Sequence, residues 1–448
     1  MSCSNGDKIL RPEPFRIKVV ERVSLLPFEE RKRVIKKAGF NPFLIPSRDV
    51  FVDLLSDSGT CALSNEQLSI LMLGDESFSS QRGYFYLIEK VKEITGFDYV
   101  IPCHQGRGAE NILMDMLVKK EGLVVSNGLF ETTRAHIEMR GAEGIDLPTP
   151  RIKEEDYLFK GDISLRKLRN ILKSAPKKVN FILITLTNNS QGGRPVSLHN
   201  LRKVREIADE FRKPVVLDAS RFAENAYFIY KHELPGKSIR AIVREMFSLS
   251  DIFYLSAKKN GLSHSGAIIG VKSRRLYENL SSLTLFFEGF PSHGGLPDRD
   301  LLLIAKGLEE IIDEEYLAFR IEQVKFLGEK LREAGIPVLY PFGGHAVYID
   351  AEKLLSHFKN GFPGYAFASE VYVEGGVRVG VFGGKLSGGG TPEYVRLAIP
   401  HRVYTNSHLL WVVDAVKRVV ERKREIRELA LSYSPPRLRT FLARFRQV

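Results

Sequence analysis

The chain is 448 residues long, 44 % hydrophobic and 27 % charged, with a net charge of +12. This composition excludes a disordered or low-complexity protein and allows two domains, or one large core with an added lobe. Three cysteines (Cys3, Cys61 and Cys103) are too few for a disulfide framework, no apolar run reaches membrane length, and MSCSNGDKILRPEPF has no signal-like core, so a cytoplasmic protein with no membrane partner is expected.

Residues 1–50 are punctuated by Pro12, Pro14, Pro27, Pro42 and Pro46 and hold one basic helical segment, PFEERKRVIKKAG. They are read as an N-terminal arm and part of a small domain. From DVFVDLLSDSG onward, apolar runs (EGLVVSNG, KVNFILITLTN, KPVVLDAS, SDIFYLSA, GAIIGV) alternate with helical windows such as NEQLSILMLG, GAENILMDMLVKK and SLHNLRKVREIADEF. Continuous apolar strands separated by helices predict an α/β domain, 51–315, around a mostly parallel sheet covered on both faces. One long helical region, DLLLIAKGLEEIIDEEYLAFRIEQVKFLGEKLREAG, leads out of it. Hairpin-like pieces then follow (IPVLY, GHAVYID, VYVEGGVRVGV, YVRLAIP), with the helix SHLLWVVDAVKRVVERKREI, and predict an α+β lobe over 316–448. GGKLSGGG (383–390) reads as a flexible loop.

Much of the positive charge lies in 163–178 and 420–448, both helical in look, but it is spread along the chain and interleaved with Glu. That pattern fits solvated helix faces, and no finger, repeat or aromatic ladder accompanies it, so no nucleic-acid partner is expected. A basic nucleic-acid-binding protein without coenzyme is the non-enzymatic rival.

Polar residues collect where the apolar runs stop. KPVVLDASRFAEN puts Asp218 and Arg221 after one strand, YLSAKK puts Ser256, Lys258 and Lys259 after another, and ILITLTNNSQGG does the same for Asn188 and Asn189. The carboxyl ends of parallel strands open onto the ligand crevice of such sheets. Pyridoxal phosphate would use the whole set. It needs a lysine amine for its aldehyde, an acid at the ring nitrogen, and an anion cradle of backbone N–H groups and short hydroxyls. Lys258 or Lys259, Asp218, and HQGRGAEN with Arg107 offer these, and Phe130 offers a ring to stack. A capping Asp and two solvated lysines in a nucleotide-binding or non-catalytic α/β protein remain the open alternative on spacing alone.

The ordered motifs go further. RPEPFRIKVVE, NPFL, DVFVDLLSDSGT, GDES, IPCHQGRGAE, NNSQGGRPVSL, VVLDASRFAENAYF, SAKK, EGFP, YLAFRIEQV, GGHA and RLAIPHRVYTNSH together resemble the β-eliminating lyase family of tryptophanases and tyrosine phenol-lyases, nearest overall to the former. The resemblance implies the fold of aspartate aminotransferase (fold type I), an amino-acid substrate, and a dimer or tetramer with active sites at the dimer interface. It implies that Lys259 is the coenzyme-linking lysine, with Ser256, Lys258, Gln105, Gly106 and Arg107 near the phosphate. Phe130 would stack, Asp218 would face the ring nitrogen and Arg221 the ring oxygen, and Asn189 and Arg396 would grip the substrate carboxylate. A potassium or ammonium ion is implied at Glu76, with the carbonyls of Gly59 and His264. The reaction implied is tryptophan to indole, pyruvate and ammonia.

Against that pattern the chain departs around the leaving group. Phe78 in GDESFSSQR stands where both activities use a tyrosine, and His293 stands where EGFPTYGG has one. Glu131 replaces an aspartate and Thr440 a histidine of tryptophanase, while Phe382 occupies the place of the phenol-binding arginine. An aromatic carbon leaves readily only if protonated. A β-eliminating lyase acting on a cysteine-like or tyrosine-like substrate is therefore the alternative to an indole-lyase.

Overall fold

The apolar runs become strands because each residue of a strand buries its side chain on one face or the other. The computed structural model describes residues 11–387 and 391–448. The strands β1 (Val52–Leu54), β2 (Tyr99–Cys103), β3 (Leu123–Ser126), β4 (Glu143–Asp146), β5 (Val179–Thr185), β6 (Val215–Asp218), β7 (Ile252–Ser256) and β8 (Ala267–Val271) come first. β9 (Ala346–Asp350), β10 (Val377–Phe382), β11 (Tyr394–Ala398), β12 (Leu429–Tyr433) and β13 (Arg444–Gln447) follow.

The large sheet has seven strands in the order β2-β8-β7-β6-β5-β3-β4, and only β8 runs against its neighbours. Alternation along the strands splits the core in two. Val100, Val125, Ile182, Ile184, Val215, Leu217, Phe253 and Leu255 face one side, and Ile101, Val124, Phe181, Leu183, Val216, Ile252 and Tyr254 the other. Helices Arg82–Thr95, Leu198–Glu210, Ile239–Ser248 and Asp298–Ile311 cover the first face, and Gly106–Leu117 and Glu131–Met139 the second. Full burial of each large side chain contributes roughly 1.5–3 kcal/mol, which makes this double-sided sheet the main source of stability. The architecture is the expected aspartate-aminotransferase-like α/β fold.

The smaller sheet, β1-β10-β11-β9, is antiparallel except for the parallel pair β1 and β10. β1 therefore belongs with the C-terminal lobe and not with the large domain expected to begin at 51. The expected boundary at 315 also divides an element. Helix Glu314–Glu333 buries Tyr316, Leu317, Ala318 and Phe319 in the large core and Val324, Phe326, Leu327 and Leu331 in the small one. The single long helical region expected over 300–335 is two helices, Asp298–Ile311 and Glu314–Glu333, broken where the Asp313 side chain caps the second by accepting from the Tyr316 N–H. On the N-terminal side, Ile35, Ala38, Ile45 and Val50 pack on Tyr372 and Val373.

Two C-terminal stretches differ from expectation. VYVEG is the end of helix Pro363–Gly375, not half of a hairpin, and Gly376 ends it at φ +64°, its N–H bonded to the Tyr372 carbonyl. Residues 429–447, expected to continue the basic helical stretch, are the β12–β13 hairpin with a short helix, Arg439–Leu442, between its strands. Lys385–Ser387 forms a single 3₁₀ turn of the expected loop, whose residues 388–390 lie outside the described residues, as does Cys3. No described helix is long and apolar enough to cross a membrane.

Candidate active site

Five parallel strands of the large sheet deliver the candidate residues to one edge. β2 runs into His104–Arg107, β3 into Phe130 and Glu131, β5 into Asn188 and Asn189, β6 ends on Asp218, and β7 ends on Ser256. Gln105 is the N-cap of helix Gly106–Leu117, so that helix's first N–H groups have no acceptor in their own ladder. A Cβ on Gly106 would lie 3.2 Å from that of Ser256. The glycine thus lets the helix start approach the serine hydroxyl, and Arg107 adds its charge while lying 5.4 Å over the Phe441 ring.

After Ser256 the chain turns sharply. Gly261 permits this, since a Cβ there would sit 2.6 Å from the Ala257 carbonyl oxygen. The two lysines of the turn diverge. Lys258 lies over Gly59, where a Cβ would meet its Cε at 2.5 Å. Lys259 keeps some accessible surface, but burial lowers its amine to about 8, with Arg221 pushing the same way and Asp218, Asp57 and Glu110 pulling partly back. The uncharged amine is the form that attacks an aldehyde, so uptake of pyridoxal phosphate by the coenzyme-free protein should speed up as pH rises through about 8 and level off above. Stopped-flow absorbance reads this directly, and a flat profile across neutral pH would contradict it.

Arg221 is buried and held by a two-pronged bond to buried Asp57, Nε to Oδ2 at 2.7 Å and Nη2 to Oδ1 at 2.8 Å. The guanidinium holds the Asp57 carboxyl well below the usual carboxylate range, and Asp57 raises Arg221 in return. Asp218 accepts from the Ser220 N–H at 3.1 Å. Beneath it, buried Glu110 accepts from Thr132 at 2.8 Å and Thr133 at 2.6 Å, and burial raises its carboxyl.

Asn189 Oδ1 accepts from Arg396 Nη1 at 3.1 Å, from Tyr348 at 2.7 Å and from His345 Nε2 at 3.2 Å. Arg396 Nη2 donates to the Leu55 carbonyl, yet Arg396 Nε and Asn189 Nδ2 are buried with no protein partner among the described residues. A pair of orphaned donors side by side suits a carboxylate. Phe130 packs with Tyr348, Phe382, Ala346 and Ala398, so an apolar wall adjoins this pair. At its edge the Glu131 carboxylate accepts from Thr440 at 3.1 Å and from Ser387.

Some expected residues are not brought here by the single chain. Phe78 is 78 % exposed and lies with Phe290 and His293 (5.7 and 6.1 Å between ring centroids) in a separate surface cluster. The Glu76 carboxylate is engaged by the Asp298 and Arg299 N–H groups and by the Arg299 side chain. Gly59 and the His264 carbonyl do adjoin, 3.2 Å from a Cβ position on the glycine to the oxygen.

The β-eliminating lyase profile matches residues 53–382. The chain is 43 % identical to the tryptophanase of Salinibacter ruber, over 97 % of this chain and 95 % of that one. It is 40 % identical to the tyrosine phenol-lyase of Symbiobacterium sp., over 97 % and 98 %. The chain belongs to the β-eliminating lyase family.

As a member of that family the protein is a pyridoxal-phosphate-dependent β-eliminating lyase. Its fold superposes on an aspartate aminotransferase from Thermotoga maritima with a TM-score of 0.62 at 14 % identity, covering 88 % of this chain and 95 % of that one. The free helix start beside Ser256, the depressed Lys259 amine and the acid at Asp218 fit the coenzyme of a β-eliminating lyase. Asp57, Glu110, His345 and Tyr348 escaped the sequence reading. Asp57 lies inside the quoted SDSGT and Glu110 inside HQGRGAE, but nothing local marks either as the partner of a distant side chain.

Proposed function

We propose that this lyase removes the β-substituent of an amino acid with an aromatic side chain, tryptophan foremost, giving indole, pyruvate and ammonia. Relatives acting on tryptophan and on tyrosine match it almost equally, so likeness does not choose between them. The observation that carries the choice is the wall beside the orphaned Arg396 and Asn189 donors. Phe130 and Phe382 line it, and Phe382 stands at the position where the family resemblance places a phenol-binding arginine. Glu131, with Thr440 and Ser387, supplies the carboxylate at its edge.

Bound pyridoxal phosphate would supply a positively charged ring that withdraws electrons from the substrate Cα. Asp218 would hold the ring-nitrogen proton, Arg221 would meet the ring oxygen, and Gln105, Gly106, Arg107, Ser256 and Lys258 would hold the phosphate. Arg396 and Asn189 hold the substrate carboxylate and so fix which Cα bond faces Lys259. Lys259 Nζ, kept from full protonation by its surroundings, takes the Cα proton. Arg396→Met should raise KM roughly a hundredfold, about 3 kcal/mol, while the coenzyme absorption band stays. Steady-state kinetics with an absorption spectrum checks both.

A second reading rests on the sequence: Phe78 stands where both family activities use a tyrosine and has no proton for a departing aromatic carbon, and the single chain holds it apart from the other candidate residues. A thiol leaves without that help, so a cysteine-like substrate is the alternative, as is a tyrosine-like one. The deciding assay offers tryptophan, tyrosine and cysteine derivatives and measures pyruvate, indole, phenol and sulfide separately. Pyruvate from tryptophan without indole would overturn the first reading.

The same proposal includes a dimer or tetramer. The exposed rings Phe78, Phe286 and Phe287 support a self-association face, which sedimentation would test. A potassium or ammonium ion is supported only by the adjoining Gly59 and His264 peptide groups. Buried, unpaired Cys61 and Cys103 support a cytoplasmic setting.

A further inference from the structure

A second buried polar cluster lies behind the lysine turn, and the steps above do not use it. Arg320, on helix Glu314–Glu333, is 1 % exposed, yet none of its three guanidinium nitrogens meets an acceptor among the described residues. Glu224 and His401 beside it are fully buried. Glu224 Oε1 stands 3.8 Å from Arg320 Nε and 3.6 Å from His401 Nε2, too far for hydrogen bonds, and both Oε1 and Nε2 are unpartnered. The far sides of these groups are fixed. Asn260 Nδ2 donates to Glu224 Oε2 at 2.8 Å, and the Tyr316 hydroxyl meets His401 Nδ1 at 2.6 Å. Burial holds the His401 imidazole neutral. A guanidinium and a carboxylate oxygen held apart in an apolar interior require another partner.

We infer that Arg320, Glu224 and His401 form a binding site for ordered water. The guest must accept from Arg320 and donate to Glu224 Oε1. A halide or carboxylate only accepts, so it leaves Glu224 Oε1 unpartnered. A metal or ammonium ion would face the guanidinium. Water does both, and it serves His401 in either tautomer.

The site joins segments that carry the chemistry. Asn260 follows Lys259 and accepts from the Ala223 N–H at 2.8 Å. Glu224 lies one helical turn beyond Arg221, and His401 follows β11, which carries Arg396. Only the importance of these neighbours rests on the proposed function; the water site rests on geometry.

The test is a high-resolution crystal structure of the coenzyme-loaded protein soaked in sodium bromide. Oxygen-sized density within about 3 Å of the Arg320 guanidinium and Glu224 Oε1, without a bromine anomalous signal, is the expected result. A bromine peak overturns the inference, as does a direct Arg320–Glu224 contact with no solvent between. Melting temperatures of R320M, E224Q and the double variant provide an independent check. A shared water bridge makes the double loss smaller than the sum of the single losses, whereas simple addition overturns the bridge. Neither measurement depends on which amino acid the enzyme cleaves.

Discussion

Replacing Lys259 by alanine should lower pyruvate formation at least about a thousandfold while leaving the fold intact. Both halves follow from the surroundings of the amine. Its depression to about 8 comes first from burial and then from Arg221, so the protein tolerates the charged form poorly. Lys259 Nζ makes no hydrogen bond to another described residue, so shortening the side chain leaves no orphaned partner. K259A should therefore melt no lower than the parent, and the loss should sit entirely in the rate and in borohydride trapping of coenzyme. A variant turning over within tenfold of the parent would show that another group takes the Cα proton.

Asp57→Ala should produce the largest loss of stability, roughly 3–5 kcal/mol, read by denaturant unfolding of the coenzyme-free protein. The pair with Arg221 is buried on both sides, at 7 % and 1 % side-chain exposure, so removing the carboxylate strands a guanidinium with no water to replace it. Asp57 also raises Lys259, and its removal should push that amine further down. Asp57→Asn keeps an acceptor for one prong and should lose less. Equal stability of D57A and the parent would mean that solvent reaches Arg221.

These two sites mark what the sequence could and could not say. Asp218 and the Lys258–Lys259 pair were visible because a buried parallel strand is a continuous apolar run, and the polar residues at its carboxyl end lie at the crevice by construction of the fold; only the family motif singled out Lys259. Asp57 was not visible, because its partner is 164 residues away and a lone Asp before Ser58-Gly59 reads as a turn. Glu110 was hidden for the same reason, its hydroxyl partners standing 22 and 23 residues away. In the C-terminal lobe, local propensity was overruled by packing. Val371 and Val373 have strand character but lie in a helix, where both are buried. The closing hairpin was masked by its arginines, whose spacing in RFRQ alternates around buried Phe445 but whose charge suggested a solvated helix. Phe78 and His293 could be named from motifs, but their meeting with Phe290 on the surface is a fact of three dimensions.

Helix Glu314–Glu333 is hydrophobic stuffing for two compartments at once. Strip away either lobe and half of that rod is left facing water with its apolar residues bare. No cut between 314 and 333 gives two fragments that each keep a finished interior, so the lobes should melt in concert, and any hinge between them must bend at its ends.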